Sequence, residues 1–327
     1  MAGPPQLPVT PSNPIAGFWL RALALLIDSL ILGAAGFVLG LIFFDYFCSI
    51  GSWGRLYGFV ITLLYLGLMN SSLRNGQTFG KQIVKIQVTN RNGDLLSPEK
   101  SVLRAAILCI PYFLNGLPVT QESTWLSAVL VMIILGAGGA IIYLYIFNRS
   151  TRQSLHDLIL GTYVTKAPPQ KIPEAKPLWK GHKIALACWA ILLVGLMFAG
   201  NKLAHSEWFE GLLELQEEIM THEDVGYASV VENTSHFYGS GGQSITRSLV
   251  IGAYLNKDVS DKEQVATEIA TIILPHEKSI DKDLINIQII RAFDIGIASS
   301  RIAMRYNYSP ENWKNKVSGG LLPEIIE

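Results

Sequence analysis

Five apolar stretches approach the length of a membrane-spanning helix, and no other feature constrains this chain as strongly. They are residues 18–44, 56–73, 102–120, 125–147 and 184–200. A helix needs roughly 17–25 such residues to cross the hydrocarbon layer. Inside that layer every backbone N–H and C=O must be satisfied within the protein, which a helix does unaided. Composition agrees: 50% of the 327 residues are hydrophobic and 16% charged, with a mean hydropathy of +0.32. Soluble domains carry about 25% charged residues, so an ordinary soluble enzyme is disfavoured. The first run is too long for a cleavable signal peptide, and the tail before it holds no Lys or Arg. That proline-rich tail, residues 1–17, is expected to be extended and flexible.

Positive charge in short loops marks the cytoplasmic side. Loop 74–104 holds Arg74, Lys81, Lys85, Arg91, Lys100 and Arg104, and loop 148–183 holds seven Lys and Arg. Loop 45–55 has only Arg55, and loop 115–124 has none. The two basic loops share a side only if 102–120 also crosses, despite Pro111. The expectation is therefore a multi-pass protein of the cell (inner) membrane with five crossings, a cytoplasmic N-terminus and an extracytoplasmic C-terminus. Trp19, Trp53, Trp125 and Trp179 fall near helix ends, as interfacial anchors do.

The net charge of zero hides an asymmetry. Residues 1–201 hold 15 Lys and Arg against 7 Asp and Glu, and residues 202–327 hold 11 against 19. Between them, 167–183 is a basic linker with four prolines. The expected domains are the tail, a four-helix membrane unit over 18–166, the linker, a fifth helix over 184–201, and an acidic extracytoplasmic α+β domain over 202–327. In the last, spacing predicts a helix at 205–221, strands at 226–237 and 245–255, a helix at 260–274, and strands at 284–294 and 297–308. A four-stranded antiparallel sheet on helices fits this order. The fold class is an α-helical membrane bundle plus a soluble α+β domain. Three cysteines, at 48, 109 and 188, have no disulfide or metal spacing.

The cytoplasmic loops are patterned. GQTFGK at 76–81 precedes a strand-like IVKIQV at 83–88, and Asn92-Gly93 is a hairpin-turn signal. Ser97-Pro98-Glu99 reads as a helix cap with proline at the first helical position. After the fourth helix comes RQSLHDLILGTYV at 152–164. With Arg21 and Asp28 in FWLRALALLID, these motifs make residues 15–165 resemble the RDD family of multi-pass membrane proteins. The resemblance implies a polytopic membrane protein. A few members of that family are described as sodium/proton antiporters.

Four residues carry the candidate chemistry. Asp28 lies ten residues after Phe18, about 15 Å along a helix, near the bilayer centre. A carboxylate there is costly and is either a proton or ion carrier or a structural acceptor. Arg21 and Asp157 meet at one membrane surface by topology, either as an ion pair that docks the loop or with Arg21 snorkelling to headgroups. If they pair, exchanging Arg21→Asp with Asp157→Arg restores a fold lost in either single variant. His156, beside Asp157, is the candidate relay, against a reading as an ordinary satisfied histidine. Gly80, Lys81 and Gly161 are read as turn and surface residues. GQTFGK lacks phosphate-loop spacing, so nucleotide binding is rejected. Gly36-x-x-x-Gly40 and Gly136-x-x-x-Ala140 allow close helix packing, within the chain or in a homo-oligomer.

No cofactor or metal is called for, no nucleic acid is expected, and no catalytic constellation appears, so the chain is read as a non-enzyme. Two functions compete. One is cation/proton transport through the bundle, with Asp28 carrying a proton or monovalent cation. The alternative is a membrane-anchored binding or assembly protein whose extracytoplasmic domain recruits a protein partner.

Overall fold

The computed structural model describes residues 14–117, 124–172, 177–204, 206–239, 242–276, 279 and 281–319. Most of the tail, part of loop 115–124, part of the linker and residues 240–241 lie outside the described residues. Four helices are long and apolar enough to cross a membrane: Phe18–Ile42, Phe44–Met69, Leu126–Phe147 and Lys180–Gly200. The first is α1. The second is built from α2 (Phe44–Ile50), a 3-10 turn and α3 (Arg55–Met69). Helix α4 (Phe79–Ile83) and strand β1 (Ile86–Asn90) follow, and then α5 (Pro98–Leu114). α5 covers the expected third crossing but is 17 residues long, with buried Arg104 in its second turn and Pro111 within it. The next span joins α6 (Thr124–Val131) and α7 (Gly138–Phe147) through a π-helical turn at Met132–Ala137. Helix α8 (Leu155–Leu160), strand β2 (Thr162–Lys166) and α9 (Lys180–Ala204) complete the membrane part.

The chain divides into two compact units. One comprises residues 1–35 and 56–193, and the other comprises 36–55 and 194–327. This differs from the division expected from sequence, because residues 36–55 pack with the C-terminal domain.

In the first unit the helices are inside-out relative to a soluble protein. α1 exposes Leu23, Leu26 and Leu30 and buries Arg21, Ala24 and Asp28. Apolar side chains outward and polar ones inward is the arrangement a hydrocarbon solvent selects. At the end where α1 begins, β1 and β2 form a two-stranded antiparallel sheet, with Val88 opposite Val164. Residues 14–16 extend it: Lys166 N–H donates to Pro14 O and Ala16 N–H to Val164 O, each 2.8 Å. The Asn92-Gly93 signal gives a turn, with Asn90 Oδ1 accepting from the N–H groups of Asn92 and Asp94. It does not give a hairpin, because Ser97 soon caps α5 by accepting from Lys100 N–H. The strand expected at 83–88 begins at Ile86, since Thr78 caps α4 through Lys81 N–H and Lys85 takes φ 56°. The π turn leaves the Leu135 carbonyl to accept from Trp189 Nε1 at 3.1 Å. Gly139 sits directly under that indole.

The C-terminal domain follows the expected order. Helix α10 (Glu207–Met220) precedes strands β3 (Val225–Gly239) and β4 (Gly242–Leu255). Then come α11 (Lys262–Ile273), β5 (Leu284–Asp294), β6 (Ser299–Tyr308) and a last helix, α12 (Pro310–Val317), that the sequence reading missed. The sheet order is β3-β4-β5-β6. It is mixed rather than wholly antiparallel, because β4 and β5 pair in parallel. Their connection runs through α11, and a helical crossover returns the chain parallel. The inward faces of these helices and strands bury Leu215, Ile219, Leu249, Ile251, Ile269, Ile287 and Trp313.

The turn from β5 to β6, Phe293-Asp-Ile-Gly-Ile-Ala298, is apolar because it is buried against residues 36–55. Phe293 and Ile295 form a cluster with Phe47 and Cys48. Two ion pairs cross this contact in opposite senses. Arg55 Nη1 reaches Asp294 Oδ2 at 2.5 Å, and Arg291 Nη2 reaches Asp45 Oδ1 at 2.5 Å. A Cβ on Gly40 would overlap the Phe293 ring, and one on Gly36 would meet Ile297 at 2.7 Å. The Gly36-x-x-x-Gly40 surface is thus the seat of this turn. Gly40→Val should undock it, lowering Tm and exposing the 294–299 segment to protease. Adding Phe293→Ala should restore protection, since the clash is with that ring. Persistent cleavage in the double variant would show that Gly40 acts elsewhere.

Candidate functional site

The polar interior of the first unit is organised around Asp157, in the first turn of α8 and fully buried. Asp157 Oδ1 accepts from Arg104 Nε at 2.9 Å, Arg104 Nη2 at 2.8 Å and Thr162 Oγ1 at 2.9 Å. Its Oδ2 accepts from Arg21 Nη2 at 3.2 Å and from Ser154 N–H at 3.4 Å. One carboxylate therefore joins α1, α5, α8 and the start of β2. Arg21 also donates from Nη1 to the carbonyl of Arg152 and lies 4.9 Å from the Tyr145 ring centroid. Burial alone would push the Asp157 carboxyl up, but the charges of Arg104 and Arg21 outweigh it and hold it below the usual carboxylate range.

His156 is brought into the same cluster, with Nε2 3.1 Å from Arg104 Nη2. Arg104 can only donate, so Nε2 accepts and Nδ1 carries the proton. Nδ1 is buried and has no partner among the described residues. Desolvation, with repulsion from Arg104 and Arg21 and against attraction to Asp157, pushes His156 down to about 3. It is neutral at physiological pH.

Asp28 stands in a second set of contacts. Its Oδ1 accepts from Tyr65 Oη at 2.7 Å and Gly80 N–H at 2.8 Å, and its Oδ2 accepts from Thr78 Oγ1 at 2.6 Å. The deep acid expected from sequence is therefore not isolated, because loop 74–104 reaches it. Gly80 is the reason the loop can come so close: a Cβ there would overlap the Ala24 carbonyl oxygen. Gly80 is thus a close-approach residue rather than a turn residue, whereas Gly161 does take φ 62° to end α8. Lys81 is half-buried rather than a surface charge, and its Nζ lies 3.5 Å from Thr78 Oγ1. Desolvation, reinforced by Arg104, pushes Lys81 down to about 7.

Arg21 and Asp28 in α1 and Asp157 in α8 all lie within one stretch that a family model matches. The model of the RDD family matches residues 15–161 of the chain. No curated protein and no solved structure matches the chain. The RDD region is a membrane domain with several apolar helices, and the C-terminal part lies outside the match.

Within the RDD region the structure joins Arg21, Asp157 and His156, and holds Asp28 with a different set of partners. Sequence reasoning missed Arg104, Tyr65, Thr78 and Gly80. Arg104 had a signal, since a basic residue inside an apolar helix needs a buried partner. Thr78 also had one, as a capping residue before Phe79. Tyr65 had none.

Arg104 changes what an exchange experiment should give. With Arg21→Asp and Asp157→Arg together, the guanidinium introduced on α8 faces Arg104, so the double variant should not refold. Asp157→Asn alone should cost about 3–5 kcal/mol, the scale for uncovering a buried charge. Rescue by the exchange, read as folded yield and Tm, would mean that Arg104 does not hold Asp157. The pH dependence has a defined sign. His156 binds a proton in the unfolded chain below its ordinary 6.5 and in the folded one only near 3, so stability falls as pH drops through that window. Asp157 loses its contribution only below the ordinary carboxylate value of 3.8. Thermal melts from about pH 7 to 4, which spans most of that window, should show a decline that His156→Gln flattens. An unchanged slope in that variant would assign the decline elsewhere.

Proposed function

We propose that the protein is a membrane-anchored binding or assembly protein, with the RDD region as platform and the C-terminal α+β domain as the partner-recruiting part. The observation that carries this reading is the satisfied state of Asp28. Three donors occupy its two oxygens, and it is 2% exposed. A carboxylate that fastens a loop to a helix in this way performs a structural task.

The reading places the C-terminal domain outside the cytoplasm of a cell-membrane protein. Residues 36–55 and the domain form one unit, so the domain shares the side of loop 45–55. That loop carries one basic residue, whereas loops 74–104 and 148–183 are the basic, cytoplasmic ones. Parity supports the same topology. α5 begins, and α7 ends, beside the Asp157 cluster, which is the parity that a crossing at 102–120 predicts.

Cation/proton exchange is the second reading. Its support is the relay-like row Lys81 Nζ, Thr78 Oγ1, Asp28 Oδ2, in which an amine pushed down to about 7 shares a hydroxyl with a carboxylate.

Proteoliposomes with an imposed pH gradient separate the two. Under the binding reading, wild type moves sodium, potassium or lithium no faster than empty liposomes. Flux that Asp28→Asn abolishes would replace it with the exchange reading. Orientation has its own test. Asp281→Cys, at an exposed position of the domain, should react with a membrane-impermeant maleimide on intact cells. Reaction only after permeabilisation would place the domain inside.

A further inference from the structure

A groove in the RDD region is lined by Phe18, Arg21, Tyr145, Asn148, Arg149 and Arg152, where α1 begins and α7 ends. We propose that this groove binds the phosphate headgroup of an anionic phospholipid.

Charge is the first argument. Three arginines line the groove, and the Asp157 carboxylate is held by Arg21 and Arg104. Arg149 and Arg152 form no ion pair with any of the described residues. The groove therefore carries a positive surplus that the described residues leave uncompensated. The second argument is backbone geometry. Arg152 is held at φ 54°, a left-handed conformation unusual for arginine, and its carbonyl accepts from Arg21 Nη1. Strain of this kind persists where surrounding structure fixes a residue for a task.

The third argument is place. Phe18 and Tyr145 pack at 5.3 Å to form the apolar wall. Beside them Trp19 is 80% exposed and Phe147 51% exposed, as aromatic side chains are at a membrane–water interface. The groove therefore opens where lipid phosphates lie. Guanidinium forks match phosphate oxygens in pairs, and basic pockets between spans on the cytoplasmic side are suited to acidic headgroups. Arg21 supplies the fixed donor, locked by Asp157. Arg149, which is exposed, and Arg152, which is half-buried, supply the adjustable ones.

The test uses the full chain, purified in neutral detergent, with Tm read by tryptophan fluorescence. Titrants are phosphatidylglycerol, phosphatidylcholine and inorganic phosphate. Phosphatidylglycerol alone should raise Tm, and Arg149→Gln/Arg152→Gln should weaken that response by about tenfold or more for each charge-assisted bond lost. Without lipid the double variant should melt no lower than wild type, because neither side chain forms an ion pair with the described residues and the Arg152 carbonyl that Arg21 uses is kept. That readout separates a binding role from a structural one. Arg74→Gln, an exposed basic residue outside the groove, should respond like wild type. An undiminished response in the double variant, or no response in wild type, overturns the proposal. An equal response to inorganic phosphate overturns the lipid source and makes the ligand a soluble anion.

Discussion

The fold of the RDD region depends on one buried carboxylate holding two buried arginines. Asp157 stands in a short helix between α7 and β2, yet its partners come from α1 and from α5. Within an apolar exterior no water can take over the role of a missing partner, so each charge commits the others. Arg21 must be near the start of α1, Arg104 in the second turn of α5, and α8 must return to both. The start of α1, the start of α5 and the end of α7 are fixed together by this requirement. The small sheet of β1 and β2 is its consequence: once Asp157 is docked, Thr162, which donates to it, starts a strand beside residues 86–90. Asp28 repeats the logic on a smaller scale. It ties α1 to α3 through Tyr65 and to the 74–104 loop through Thr78 and Gly80.

Both clusters have the same chemical asymmetry. An aspartate can accept several hydrogen bonds at once and an arginine can only donate, so a carboxylate serves as the hub and donors as spokes. The cluster around Asp157 then has more positive charge than negative. His156 is kept neutral by burial and by this surplus, which is why a histidine beside an aspartate does not behave as an imidazolium here. The surplus also explains why the groove beside Arg21 remains attractive to anions even though Arg21 itself is paired.

How much of this is legible in the sequence depends on the range of the signal. Runs of apolar residues mark the spans, because a bilayer demands length from a single segment. Loop charges indicate a topology, and the alternation at 284–294 marks β5 to the residue. Arg21 and Asp157 can be placed at one surface by counting crossings alone. What cannot be read are relations between distant segments with no periodic signature. β1 looks like half of a hairpin because Asn92-Gly93 favours a turn, but its partner lies beyond α5, the next span and α8. The mixed sheet looks antiparallel because alternation says nothing about direction. Tyr65 looks like one more aromatic residue in an apolar helix, and only a neighbour from another segment makes it a donor.

The glycine spacing in α1 shows the same limit from the opposite side. Gly36-x-x-x-Gly40 has the pattern of a helix–helix seam, and the pattern specifies only that something approaches closely. Here the approaching surface is the turn after β5, whose Phe293 needs the space that Gly40 leaves. This accounts for two oddities at once: a β-turn rich in Phe and Ile, and a spanning helix whose far end groups with a domain outside the RDD match. The reciprocal pairs Arg55–Asp294 and Arg291–Asp45 add direction to this contact, since apolar packing alone would tolerate rotation of the turn and two opposed charge pairs would not. The domain following α9 is therefore held by more than its tether. It is keyed to residues 36–55 by shape and charge.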